Sequence, residues 1–246
     1  MPALRELFRA SPLHPQWLVL RHERERLAAV ARLASGEVLD VGCASQALRP
    51  LLSPGCRYTG LDYPATGDAL YGTRPMVYGD AAALPFGDGR FDTVTLLEVL
   101  EHVRRPHEAL AECRRVLADG GQLLLSMPFL YPVHDAPADY SRYTLHALRL
   151  HLERAGFEVV EERALGRPLT TAALLTNIAL AHAGLEAWRR RSAAALGILV
   201  LPALVPLLNL VGWAAGLGRE GTPFMAHGHS IRAVRRGTDA ARTASR

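Results

Sequence analysis

Two rhythms of apolar and polar positions run along the chain. Residues 1–35 set Leu18, Leu20, Leu27, Val30 and Leu33 among charges at roughly helical spacing, which predicts a helical cap. Short apolar runs then recur at Glu37–Val41, Tyr58–Asp62, Met76–Gly79, Phe91–Leu97, Gln122–Met127 and Phe157–Arg163, each predicting a strand. Phe91–Leu97 is apolar or β-branched at every position but Asp92, as suits a strand buried on both faces. Between these runs, Ala44–Leu52 predicts a helix stopped by Pro54 and Gly55. Pro106 opens another, stopped by Gly120-Gly121, and Thr144–Ala155 a third, closed by Gly156. The alternation predicts an α/β fold: a Rossmann-like, mostly parallel sheet with helices on both faces.

The pattern changes after residue 165. Ser192–Gly218 carries no charge and exceeds the roughly 20 apolar residues that span a bilayer. Arg189–Arg191 and Arg219 flank it, and Pro202 and Pro206 are expected to kink or break a helix inside it. Pro168–Leu185 is also uncharged but more polar. His229–Arg236 reads as a last strand, which must share a compartment with the rest of the sheet. The apolar segment is therefore expected as a re-entrant or two-helix hairpin, an interfacial segment, or a soluble helical insertion. The expected organisation is a cap (1–35), a nucleotide-binding core (36–165), an apolar helical insertion (166–226), the last core strand (227–237) and a disordered tail (238–246).

Composition adds limits. All 28 basic residues are arginine, and they are scattered rather than gathered with aromatics, so no nucleic-acid partner is expected. The three cysteines, Cys43, Cys56 and Cys113, fit no zinc spacing. With a charged N-terminus, they point to a reducing cytoplasm, with the chain peripheral to or hairpin-anchored at the inner face of the membrane.

In an open parallel sheet, ligands sit beyond the carboxyl ends of the strands. Asp40, Asp62, Asp80 and Glu98 fall at the ends of the first four predicted strands. An acid ending the second strand is placed for ribose hydroxyls. The turn Gly42-Cys43-Ala44-Ser45-Gln46-Ala47 has one glycine where a pyrophosphate-binding G-x-G-x-x-G has three. An acidic rim repels pyrophosphate and suits a positive sulfonium, so S-adenosylmethionine (SAM) fits better than NAD. Each acid alone is more often a cap or turn residue than a ligand contact, and it is the set of four at consecutive strand ends that favours the ligand reading.

VLDVGCAS, YTGLDY, GDAAALPFGDGRFDTV, LLEVLEHV, ECRRVLADGGQLLLSMP and ERAGFEV, in that order over residues 37–163, resemble a class I SAM-dependent methyltransferase of the type 11-like group. The resemblance implies seven strands, with the last antiparallel beside the sixth. It implies that Asp40, Gly42, Cys43 and Ala44 line the methionine end of SAM. Asp62 would hold the ribose, Tyr63 would lie by the adenine, and Asp80 with Ala81 would read its amino edge. Glu98 and Val99 would close the pocket. Ala44 and Gln46 depart from the family's usual glycines. PFLYPVHDAPADYSRYT resembles a subset linked to cell-surface glycan or lipid biosynthesis.

That loop carries the candidate chemistry. His134 is the base candidate because imidazole titrates near neutrality, with Asp135 or Asp139 to orient it and Tyr140 and Tyr143 to wall an acceptor pocket. The competing reading is a polar cap with no chemical part, since positioning alone often suffices for methyl transfer. Spacing gives no diagnostic metal site, a structural role is expected of His102, and Cys43 has no basic partner to make a thiolate. The expected function is methyl transfer from SAM to a small-molecule or lipid-linked acceptor, such as an oxygen of a cell-surface glycan precursor. An NAD-dependent oxidoreductase or epimerase is disfavoured by the missing glycines and, without lysine, by the lack of a Tyr-x-x-x-Lys pair. A non-catalytic SAM-binding scaffold that holds partners through the apolar insertion (166–226) is the third reading, and any membrane surface contact is expected through 192–218.

Overall fold

The computed structural model describes residues 2–64, 74–218 and 220–237. The expected disordered tail and Arg219 lie outside the described residues. The chain divides into two units, a sheet unit (Leu27–Phe129, Val133–Arg163, Gly228–Arg246) and a helical unit (Met1–Arg26, Leu130–Pro132, Ala164–His227).

The sheet has seven strands: β1 (Glu37–Val41), β2 (Arg57–Asp62), β3 (Val77–Tyr78), β4 (Phe91–Leu97), β5 (Leu117–Pro128), β6 (Phe157–Leu165) and β7 (Gly228–Arg235). Their order is β3-β2-β1-β4-β5-β7-β6. The β1–β2, β2–β3, β1–β4 and β4–β5 pairs are parallel, and β7 runs antiparallel to β5. The seven-stranded expectation, with its inserted antiparallel strand, therefore holds. Strand order reverses between β1 and β4, which makes their carboxyl ends the crevice of the sheet.

One core serves this unit. Leu39, Val94, Leu96, Leu123 and Leu125 of the strands pack with Ala109, Leu110, Cys113 and Val116 of α4 (Pro106–Val116) and Leu145, Leu148 and Leu152 of α5 (Leu145–Arg154). Pro106 supplies the first turn of α4, where its missing N–H costs nothing. Thr144 caps α5, its side chain accepting from Ala147 N, and Gly156 ends it at φ 87°.

Two expectations are corrected here. Residues 44–52 are not an α-helix but a run of turns ending in one 3-10 turn, Arg49–Leu51. Ala44 and Gln46 stand at φ 43° and 56°, in the left-handed region, which interrupts right-handed helix. Gly120-Gly121 do not end a helix, because α4 stops at Val116 and β5 begins at the next residue. The glycines lie in a break of register: Phe91 pairs with Leu117, yet Thr93 pairs with Gln122.

The helical unit contains α1 (Pro2–Ala10), α2 (Trp17–Leu20), α6 (Pro168–Arg189), a 3-10 segment (Ala193–Val200) and α7 (Leu201–Gly216). The remaining N-terminal helix, α3 (Glu23–Leu33), begins in this unit and ends in the other. Pro206 does not break α7, which continues through it, and Pro202 sits in its first turn. Asn177 and Asn209, both fully buried, tie α6 to α7 through Nδ2–Oδ1 at 2.9 Å. Asn209 also donates to the carbonyls of Pro12 and His14, at 2.6 and 3.0 Å. Gly212 lets the helices close, for a Cβ there would lie 2.8 Å from that of Ala173. Pro168–Arg189 and Ala193–Gly216 are each long and apolar enough to cross a membrane, with mean hydropathy 1.2 and 2.3. Leu196, Leu199, Leu207, Leu210, Val211 and Leu217 are exposed.

Candidate functional site

The order β3-β2-β1-β4 places Asp80, Asp62, Asp40 and Glu98 side by side at the carboxyl ends of four neighbouring strands. Asp40 is buried and accepts from Thr95 Oγ1 (2.6 Å) and Tyr58 OH (2.8 Å). Burial raises its carboxyl above the usual range, against the pull of those two hydrogen bonds. Asp62 Oδ2 accepts from Ala44 N at 2.8 Å and its Oδ1 from Tyr63 N at 2.7 Å. Tyr63 itself is half-exposed and follows this acid directly in the chain. Asp80 closes a turn by accepting from Ala82 N at 2.8 Å and meets Arg105 Nη2 at 3.3 Å, while Ala81 is buried.

The β1 turn and the β4 end meet closely. Gly42 stands at φ 72°, and a Cβ added to it would lie 2.4 Å from Val99 Cγ2. Only glycine satisfies both the conformation and the space. Glu98, at φ 55°, accepts from Ser126 Oγ at 2.6 Å. Cys43 is buried, and burial with the charges of Asp40 and Asp62 pushes its thiol up to about 12, so it stays protonated.

These features fit SAM. The rim is acidic, as suits a sulfonium, and the turn amides of Ala44 and Tyr63 are taken up by Asp62 rather than presented to a phosphate. A hollow of about 310 Å³ lined by Ser35, Asp92, Gly120 and Arg232 lies at the opposite, amino end of the strands, away from this chemistry.

The loop after β5 brings a second group together. His134 N donates to Asp139 Oδ2 at 2.9 Å, and its Nδ1 lies 3.4 Å from the same oxygen. Arg142 binds Asp139 through both nitrogens, Nη2 to Oδ2 at 2.6 Å, and holds its carboxyl down at about 2. Of the two acids considered for orienting His134, Asp139 is the one in contact. Asp135 is exposed, at φ 50°. Tyr140 is partly exposed and its OH accepts from Arg104 Nε at 2.9 Å, while Tyr143 packs on the core.

Glu101 was not singled out by sequence. It follows β4 in the 3-10 turn Leu100–His102, fully buried, with its Oε1 3.7 Å from His102 Nε2 and 4.0 Å from His134 Nε2. Burial, then the charge of Glu98, pushes its carboxyl up to about 8. Its place in EVLEHV was visible, but its meeting with His134 needs the folded loop.

Comparison with known proteins agrees with this geometry. Residues 39–125 match the model of the methyltransferase domain family. A probable S-adenosylmethionine-dependent methyltransferase of Mycolicibacterium smegmatis is 35% identical over 56% of this chain and 58% of its own length. A demethylmenaquinone methyltransferase of Renibacterium salmoninarum is 34% identical over 52% and 56%. The chain thus spans less than two-thirds of the curated relatives it matches. The crystal structure of the [4+2]-cyclase SpnF superposes with a TM-score of 0.56 at 20% identity, covering 88% of this chain and 81% of that one, a likeness of fold alone. Sheet order, strand-end acids and the matched segment together define a class I, SAM-dependent methyltransferase domain. Residues 39–125 of this chain belong to that family.

Proposed function

We propose that this protein transfers the methyl group of SAM to an apolar or lipid-linked small molecule at the inner surface of a membrane. The observation that carries the reading is the row Asp80, Asp62, Asp40 and Glu98 across neighbouring strand ends, joined to the β1 turn by Asp62. Asp62 holds the ribose hydroxyls and Tyr63 flanks the adenine, whose amino edge meets Asp80 and Ala81. Asp40, Gly42, Cys43, Ala44, Glu98 and Val99 shape the methionine end. SAM supplies a methyl on a good leaving group, so the chain's task is to align the acceptor and exclude water. His134, oriented by Asp139, takes the acceptor's proton if the acceptor is an alcohol or phenol. Asp135 and Tyr140 lie on the same loop and bound the acceptor side.

The apolar faces of α6, the 3-10 segment and α7 support a membrane-derived acceptor, with Arg189–Arg191 suited to anionic headgroups. The relative named for demethylmenaquinone offers one such lipid class; a lipid-linked glycan precursor offers another.

The test has two arms. Calorimetric titration with SAM, S-adenosylhomocysteine and NAD should show binding of the first two only, and binding of NAD alone overturns the reading. Methyl-labelled SAM incubated with the protein and a membrane lipid extract should then label a lipid fraction. Binding without transfer to any fraction would favour the non-catalytic scaffold.

A further inference from the structure

We propose that Glu101, His102 and His134 form a binding site for a first-row divalent transition-metal ion, with one carboxylate oxygen and two imidazole Nε2 atoms as ligands. The candidate ligand atoms all lie within 4.8 Å of one another. Metal–ligand bonds of about 2.0–2.2 Å set neighbouring ligand atoms roughly 3–3.5 Å apart. The two Nε2–Oε1 separations of 3.7 and 4.0 Å are too long for hydrogen bonds and close to a coordination shell, which small side-chain shifts would complete.

The second observation is the state of Glu101. Its side chain is fully buried, and neither carboxylate oxygen has a hydrogen-bond partner. A buried acid with no hydrogen-bond partner, offset in part by the charge of Arg142, is costly, and a cation between it and the two imidazoles lowers that cost.

The outer contacts complete the pattern. His102 Nδ1 lies 2.7 Å from Ala138 O. A carbonyl only accepts, so Nδ1 carries the proton and Nε2 turns its lone pair toward Glu101. His134 Nδ1 lies 3.4 Å from both Asp139 Oδ2 and Arg142 Nη2. A guanidinium only donates, so beside Arg142 the Nδ1 atom accepts and Nε2 carries the proton; a cation on Nε2 moves that proton to Nδ1, which then donates to Asp139 Oδ2 in place of accepting from Arg142. Two imidazoles with one carboxylate favour zinc, iron or cobalt over magnesium or calcium. Three protein ligands leave open positions for water or an acceptor oxygen, whose proton the cation would loosen in place of His134. That last step rests on the methyltransferase reading; the site itself does not.

The experiment uses the full chain, stripped with EDTA and dialysed. It is titrated calorimetrically with ZnCl2 and MgCl2 and followed by visible absorption with CoCl2. One zinc ion per chain and cobalt ligand-field bands are expected. Glu101→Gln keeps the shape of the side chain, and with His134→Gln it should weaken zinc binding at least roughly 100-fold and abolish the bands. His22→Gln, at an exposed histidine paired with Glu25, should bind as the wild type does. Circular dichroism checks that each variant is folded. Equal zinc affinity in the wild type and a folded Glu101→Gln overturns the proposal, as does tighter binding of magnesium or no binding. A separate SAM titration of the same sample shows whether the methyltransferase reading stands or falls independently.

Discussion

Asp62 Oδ2 accepts a hydrogen bond from the backbone N–H of Ala44 at 2.8 Å, so the acid ending β2 also holds the turn after β1. One side chain thus fixes the turn at the end of the strand where the proposed ribose contact lies. Asp62→Ala should weaken SAM binding by at least roughly tenfold, the equivalent of about 1.4 kcal/mol, measured by calorimetry. Unchanged affinity would remove Asp62 from the ribose role.

Gly42→Ala combines a left-handed backbone with a clash against Val99. It should cost about 1–3 kcal/mol of stability, read from urea unfolding. Adding Val99→Ala should recover only the steric part, since φ 72° still penalises a Cβ.

Ala44 makes the opposite case. It occupies φ 43° with a side chain that glycine would not need. Ala44→Gly should stabilise the fold by up to about 1 kcal/mol, less the entropy glycine adds to the unfolded chain. A higher urea midpoint checks this, and a lower one means the strain is absorbed elsewhere.

The Asp139–Arg142 pair sets a pH dependence. Asp139 ionises at about 2 when folded, below its usual value of 3.8, because Arg142 binds its carboxylate. The unfolded chain therefore takes up this proton first as pH falls. The stabilisation is full above about pH 4 and is lost as the solution passes down through about pH 2. A tenfold change in an ionisation constant is worth about 1.4 kcal/mol, and solvent screening takes part of that away. Asp139→Asn should therefore cost about 1–2 kcal/mol near neutrality. The gap to wild type in denaturant stability should close across that acid window.

Asn209→Ala removes the shorter of the two hydrogen bonds of Asn177 Nδ2, leaving that to the Val205 carbonyl, and strands the Pro12 and His14 carbonyls. About 2 kcal/mol of destabilisation is expected, seen as a lower thermal midpoint. Replacing both asparagines by leucine should recover part of that loss, because no buried polar side chain is then left unmatched.

Much of this architecture was legible in sequence because it is local. Val38–Val41 and Phe91–Leu97 declare buried parallel strands through their apolar runs. Thr144 and Gly156 mark the ends of α5 through the backbone geometry each residue type favours. The acids at the strand ends followed once the strands were placed, because strand direction alone sets which end is the crevice. Residues 44–52 misled because their composition allows helix, while in the folded turn Ala44 and Gln46 adopt positive φ and Ala44 N meets Asp62, 18 residues away.

Sequence by itself determined the strand and helix alternation, the identity of the rim acids and the apolar character of residues 192–218, for these depend on neighbours along the chain. Tertiary structure alone decided that Asp139 rather than Asp135 meets His134, that Glu101 lies buried between two imidazoles, and that Asn177 and Asn209 join two apolar helices. Each is a contact between distant residues, made by loop paths and helix packing that no local spacing encodes.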